Sequence, residues 1–110
     1  MMRRAALLFI LALALSGCSV APRTYDDFAK CLTDKGVTMY GSFWCTHCQN
    51  QKSMFGSSFK FVTYVDCDKN RDDCLEAGIE GYPAWIIAAK KHYGEQSLDK
   101  LAELSGCDLA

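Results

Sequence analysis

Phe43-Trp44-Cys45-Thr46-His47-Cys48 is the stretch on which the reading of this chain turns. An apolar run that reads as a strand over residues 37–43, with Gly41 as its weak spot, meets a helix over residues 45–55 that Gly56 stops. A Cys-x-x-Cys pair stands at the junction. At a helix N-terminus the unpaired backbone N–H groups and the helix dipole favour a thiolate, the attacking species in disulfide chemistry. Cys45 is therefore expected to be the nucleophile, and Cys48, one turn on and more buried, the resolving thiol. His47 can place positive charge or a hydrogen bond beside the Cys45 sulfur, which would favour the reduced form and make the disulfide more oxidising. The plainer reading of His47 is an exposed polar residue on the first turn. Trp44 reads either as a docking surface beside the dithiol or as a core aromatic.

Working outward, Thr24-x-x-Asp27 has the form of a capping box, so a first helix is expected from Thr24, with Phe28, Cys31 and Leu32 on one face and Gly36 ending it. Residues 61–65, aromatic and β-branched, predict a buried strand. It runs into an acidic loop over residues 66–74, read as solvated, and a short helix around residues 75–78. Residues 84–88 predict a strand with His92-Tyr93 as its hairpin partner, and Ser97 caps a last helix that turns Leu98, Leu101 and Leu104 inward before Gly106. The order α-β-α-β-α-β-β-α describes an α/β sandwich around a small mixed sheet.

The chain has 110 residues, half of them apolar, and a formal net charge of −1, which bounds it to one small globular domain and gives nucleic acid no basic surface. Its N-terminus is of another kind. Met1-Met2-Arg3-Arg4 followed by an apolar run to Leu15 reads as an export signal, too short to span a membrane. Leu15-Ser16-Gly17-Cys18 resembles a bacterial lipobox, which predicts a signal over residues 1–17, lipid attachment at Cys18, a linker over residues 18–23 and a domain over residues 24–110. Multiple acyl chains would hold such a chain at a membrane surface durably. Ser19 after the lipid-bearing cysteine resembles lipoproteins sent to an outer membrane. The expected location is the bacterial cell envelope, on its periplasmic or extracytoplasmic face.

Export makes disulfides durable, and six cysteines remain beyond Cys18: Cys31, Cys45, Cys48, Cys67, Cys74 and Cys107. Arithmetic alone allows about fifteen full pairings. A zinc set of Cys45, Cys48, Cys67 and Cys74 is the competing use, but its second spacing is long for a knuckle and export exposes free thiols to oxidation. Haem attachment fails because Gln49 stands where a histidine is required. No metal or other cofactor is expected.

Gly81-Tyr82-Pro83-Ala84-Trp85 places a proline at the entry of a strand, where a cis bond is available and no ladder donor is lost. Dithiol and proline together resemble the thioredoxin superfamily, in which a cis-proline faces the dithiol and the preceding backbone pairs with substrate. That implies roles for Tyr82 and Pro83, with Trp44, in substrate binding. Phe28-Ala29-Lys30-Cys31-Leu32, residues 39–52, Phe55-Gly56-Ser57-Ser58-Phe59, Glu76-Ala77-Gly78-Ile79, Gly94-Glu95-Gln96-Ser97-Leu98 and Leu104-Ser105-Gly106-Cys107 narrow the resemblance to the thioredoxin-like domain associated with vitamin K epoxide reductase homologues.

The resemblance implies a thioredoxin-like fold and an exported thiol–disulfide oxidoreductase. Its partners would be cysteines of other exported proteins and a quinone-linked, vitamin K epoxide reductase-like membrane protein supplied in trans. It also implies structural disulfides Cys67 with Cys74 and Cys31 with Cys107; a catalytic relay through Cys67 and Cys74 is the sharper alternative. The chain departs from the family at Thr46, commonly proline, and at Ala88-Ala89, often Asn-Gly. Met39 stands where many thioredoxins hold a buried acid, so a proton acceptor for Cys48 is expected from elsewhere or from water. Oxidase, reductase and isomerase stay open, and the rival of another class is a non-catalytic, lipid-anchored binding or scaffold protein on the same fold.

Overall fold

The computed structural model describes residues 24–109; the signal segment, Cys18 and the linker lie outside the described residues. The sheet is built on β1 (Thr38–Gly41), whose Met39 and Gly41 point into the core and whose Thr38 and Tyr40 stay half-covered. β2 (Thr63–Asp66) pairs with it in parallel, Met39 opposite Tyr64. β3 (Ala84–Ile87) pairs antiparallel, Met39 opposite Trp85, and β4 (Lys90–Tyr93) closes the order β2-β1-β3-β4. The helices are α1 (Asp26–Asp34), α2 (Thr46–Phe55), α3 (Arg71–Glu76) and α4 (Leu98–Ser105), so the expected α-β-α-β-α-β-β-α order is present. A 3-10 segment (Gly56–Phe61) is added after α2. Among these residues no helix is long and apolar enough to cross a membrane.

The core sits where β1 and β3 meet the helices. Phe28 and Leu32 of α1, Phe55 of α2, Leu101 of α4 and Trp85 of β3 are almost wholly withdrawn from water. Each such side chain contributes about 1.5–3 kcal/mol of transfer free energy. Phe55 ties them together, its ring centroid 6.1 Å from both Phe28 and Trp85. One buried polar side chain is built into this core and fully used: Gln51 of α2 accepts from Trp85 Nε1 and from the Gln96 N–H, and donates to the Gln96 carbonyl. A buried amide so satisfied adds direction to an otherwise apolar contact, fixing α2 against β3 and the segment that leads into α4.

Several boundaries differ from the sequence reading, each for a tertiary reason. The Thr24 capping box does not form; α1 begins at Asp26, and its entry is held instead by Ser58, whose Oγ accepts from the Tyr25 N–H and donates to Asp26 Oδ1. The first strand ends at Gly41 rather than residue 43 because Ser42 turns toward Asp68. Phe61 belongs to the 3-10 segment, and β2 is an edge strand with Thr63 exposed rather than a buried one. The acidic loop is half helix: α3 starts at Arg71 and contains Cys74.

Two expected helix ends are present. Ser97 Oγ accepts from the Lys100 N–H, and Gly106 takes the left-handed conformation beyond α4. At the β3–β4 hairpin, Ala88 and Ala89 adopt φ of 49° and 65°. A two-residue hairpin of this hand needs both positions left-handed, which is what Asn-Gly supplies without strain and what costs alanine about 1–2 kcal/mol per residue.

Candidate active site

The backbone leaves β1 at Gly41, makes a turn closed by the Cys45 N–H on the Ser42 carbonyl, and enters α2 at Thr46 with Cys45 as its N-cap. An N-cap side chain ordinarily uses an oxygen to satisfy the first free N–H groups of a helix. Here the Cys45 sulfur takes that place, accepting from the Cys48 N–H at 3.3 Å. The attacking sulfur is thus held against the positive end of α2, where negative charge on it is favoured. Cys45 is 8% exposed and Cys48 not at all, and the two are the free thiols among the described residues.

Burial pushes the Cys48 thiol up to about 12, and its hydrogen bond with Cys45 adds to the effect; the Ser42 backbone and the charge of Lys52 pull weakly the other way. At neutral pH Cys48 is accordingly a protonated, waiting thiol, as a resolving cysteine needs to be until a mixed disulfide forms.

Around the dithiol, Trp44, Cys45, Thr46 and His47 face Glu80, Gly81 and Tyr82 across an open cleft. Tyr82 leads into Pro83 through a cis peptide bond. Its ring meets Trp44 edge-on at 6.1 Å. Trp44 is 62% exposed and Phe43 67%, so the core-aromatic reading of Trp44 is ruled out and a broad apolar rim borders the cysteines.

Three side chains that the sequence reading passed over organise this rim. Asp68, read there as a solvated loop acid, accepts from Ser42 Oγ, from the Phe43 N–H at 3.3 Å and from Trp44 Nε1 at 3.3 Å. The Ser42 hydrogen bond first, with those from Trp44 and Phe43, holds its carboxyl below the usual carboxylate range. Asp66 in turn accepts the Asp68 N–H. Glu95, on the segment after β4, accepts from His47 Nδ1 at 2.6 Å, so a carboxylate holds the imidazole between the cysteines. Tyr64 of β2 brings its hydroxyl, like the Cys48 sulfur, close to the Gly41 backbone. Nothing local to 42–48 announces partners 16 to 48 positions away; the structure sets Asp68 beside the end of β1 through the Cys67 N–H on the Gly41 carbonyl.

The other four cysteines among the described residues are paired. Cys31 of α1 joins Cys107 beyond α4, and Cys67 joins Cys74 across the start of α3. The latter pair removes two thiols from the zinc set weighed above, and among the described residues no group of three or more His, Cys, Asp or Glu is placed to hold a metal ion.

The chain is similar to several known proteins. Thiol-disulfide oxidoreductase LTO1 of Arabidopsis thaliana is 44% identical over 90 residues, covering 74% of this chain and 24% of that protein. Protein disulfide isomerase-like 2-2 of Oryza sativa subsp. japonica is 33% identical over 119 residues, covering 84% of this chain and 32% of its own length. The chain thus spans between a quarter and a third of the length of these relatives. A mutant thioredoxin from Halobacterium salinarum NRC-1 superposes with a TM-score of 0.56 at 18% identity, over 82% of this chain and 99% of that one, a likeness of fold. A family model described as Thioredoxin matches residues 19–104. With its mixed four-stranded sheet, flanking helices and a dithiol at the head of α2, the chain belongs to the thioredoxin family and carries a thiol–disulfide oxidoreductase-like domain.

Proposed function

We propose that this protein is a lipid-anchored thiol–disulfide oxidoreductase of the bacterial cell envelope that exchanges disulfides with cysteines of other exported proteins. The observation that carries the reading is the Cys45 sulfur at the N-cap of α2 with Cys48 buried directly behind it, opening on a cleft walled by Trp44 and Tyr82. In the reducing direction the Cys45 thiolate attacks one sulfur of a substrate disulfide, that bond breaks, and the departing substrate thiolate takes up a proton. Cys48, losing its proton, then attacks Cys45 Sγ, releases the second substrate thiolate and leaves a Cys45–Cys48 disulfide. Two electrons have moved from the dithiol to the substrate. Oxidation of a substrate dithiol is the same sequence reversed, and the electrons then pass from the dithiol to an acceptor. The resemblance to domains associated with vitamin K epoxide reductase homologues supports a membrane-embedded, quinone-linked protein as that acceptor.

The lipobox-like Leu15-Ser16-Gly17-Cys18 supports the membrane anchorage. The exposed Phe43 and Trp44 support a polypeptide substrate rather than a small thiol, because they offer apolar area to an unfolded segment next to its cysteine. The test is a Cys48→Ser variant expressed in its own envelope. The expected result is a set of mixed disulfides with exported proteins, lost when Cys45 is also replaced. Protein complexes that form without a disulfide and survive replacement of Cys45 would instead make it a scaffold.

A further inference from the structure

A resolving cysteine buried this deeply must become a thiolate in order to attack, and beyond the Ser42 backbone and the charge of Lys52 its surroundings offer little help. Met39, fully buried on β1, is apolar and can neither take a proton nor donate a hydrogen bond. On the neighbouring strand, Tyr64 presents a hydroxyl that is the one buried side-chain oxygen or nitrogen without a hydrogen-bond partner among the described residues. Leaving such a group unpaired costs free energy that a fold ordinarily avoids, which marks the position as one kept for use.

The use is indicated by what the hydroxyl faces. A Cβ placed on Gly41 would lie 3.0 Å from Cys48 Sγ and 3.2 Å from the Tyr64 hydroxyl, so sulfur and phenol converge on the same bare stretch of β1 backbone. Gly41, a weak point for strand formation, leaves this space open: a Cβ there would crowd both groups. The ring is fixed from two sides. Phe59 of the 3-10 segment packs edge-on at 5.6 Å, and Lys52 of α2 sets its ammonium 3.9 Å from the ring centroid.

Resting on the exchange reading above, we infer that Tyr64 is a positioning residue for the resolving step: its hydroxyl donates a hydrogen bond to Cys48 Sγ as that sulfur becomes a thiolate. The tyrosine keeps its own proton. The Cys48 proton goes to solvent, the Cys45–substrate bond breaks as Cys45–Cys48 forms, and the substrate thiolate that leaves is protonated in turn. The charged and titratable groups facing this point are Lys52 on α2, Asp66 at the end of β2, Asp68 after it, and Cys45. Burial first, then Asp66 and Cys48, push the phenol itself up to about 12, so it remains a donor throughout the working range.

The experiment is the two-step reaction of the full reduced chain with dithiobis(nitrobenzoate), where the first coloured thiolate reports attack by Cys45 and the second reports resolution by Cys48. In Tyr64→Phe, the first step should be unchanged and the second about tenfold slower, equal to ~1.4 kcal/mol, with its pH profile displaced to higher pH because the Cys48 thiolate has lost a donor. The melting temperature should be equal or higher, since an unpaired buried hydroxyl has gone. An unchanged second step and profile, or equal slowing of both steps, would overturn the role of Tyr64 while leaving the exchange reading intact. Release of a single thiolate by the wild-type chain would overturn both.

Discussion

Cys45 and Cys48 are three residues apart and left as thiols, whereas Cys31 and Cys107, 76 positions apart, are bonded across the far end of the domain. Burial does not separate the two kinds: Cys45 is 8% exposed, Cys107 4% and Cys67 5%. Backbone placement does. The dithiol sits on free N–H groups at the head of α2 and borders a cleft, where charge on sulfur is favoured and a partner can approach. Cys31–Cys107 ties one helix to the tail that follows another, with no helix N-terminus behind either sulfur. Cys67–Cys74 is intermediate, buried but bordering a second shallow cleft that shares Tyr82 with the first. The lesson is that position on a helix, rather than depth, divides working from structural cysteines in this fold.

The division can be broken most severely at Cys45. Cys45→Ser should abolish turnover of a disulfide peptide while leaving the circular dichroism and melting temperature near wild type. Next comes the staple. Replacing Cys31 and Cys107 together by serine should cost about 4 kcal/mol in denaturant unfolding, because a long loop is released in the unfolded chain, and replacing Cys67 and Cys74 should cost about 2 kcal/mol. Exchange activity at a temperature where the variants stay folded should survive both. Loss of activity in a folded Cys67→Ser, Cys74→Ser variant would turn that pair into a relay.

A smaller effect is expected at the link between the two regions. Asp68→Asn should slow exchange roughly three- to tenfold, since the carboxylate orders Ser42, Phe43 and Trp44. Because its carboxyl is held low, this ordering is fully present at neutral pH, persists through the ordinary carboxylate range and is lost as pH falls through the depressed value. The fluorescence difference between wild type and Trp44→Phe should follow that titration. The smallest change is Glu95→Gln. Removing a carboxylate from beside the dithiol takes away negative charge that opposes a thiolate, making the disulfide more oxidising by about 5–20 mV, the scale of an exposed ion pair.

Much of this was legible in order along the chain. The strand–dithiol–helix junction, the proline before β3, the Ser97 cap and the element order all rest on residues near one another in sequence. What escaped reading acts across the fold. Ser58 caps α1 from 32 positions away, displacing Thr24; Asp68 reaches Trp44 from 24 positions and Glu95 reaches His47 from 48. An aspartate in an acidic run and a tyrosine in a β-branched strand look like solvent face and core filling until the parallel pairing of β1 with β2 brings both beside the dithiol. Ala88-Ala89 shows the converse: the sequence departs from the preferred turn, and the hairpin forms regardless, because pairing across β3 and β4 outweighs local strain.

Equilibration of the full chain in glutathione buffers, with each cysteine pair followed by mass after alkylation, tests the central division most directly. Cys45 and Cys48 should titrate reversibly as one two-electron couple between about −120 and −270 mV, the span from strongly oxidising to thioredoxin-like dithiols, while Cys31–Cys107 and Cys67–Cys74 stay bonded to below about −300 mV. A dithiol that fails to titrate, or structural pairs that open at the same potential, would contradict the account.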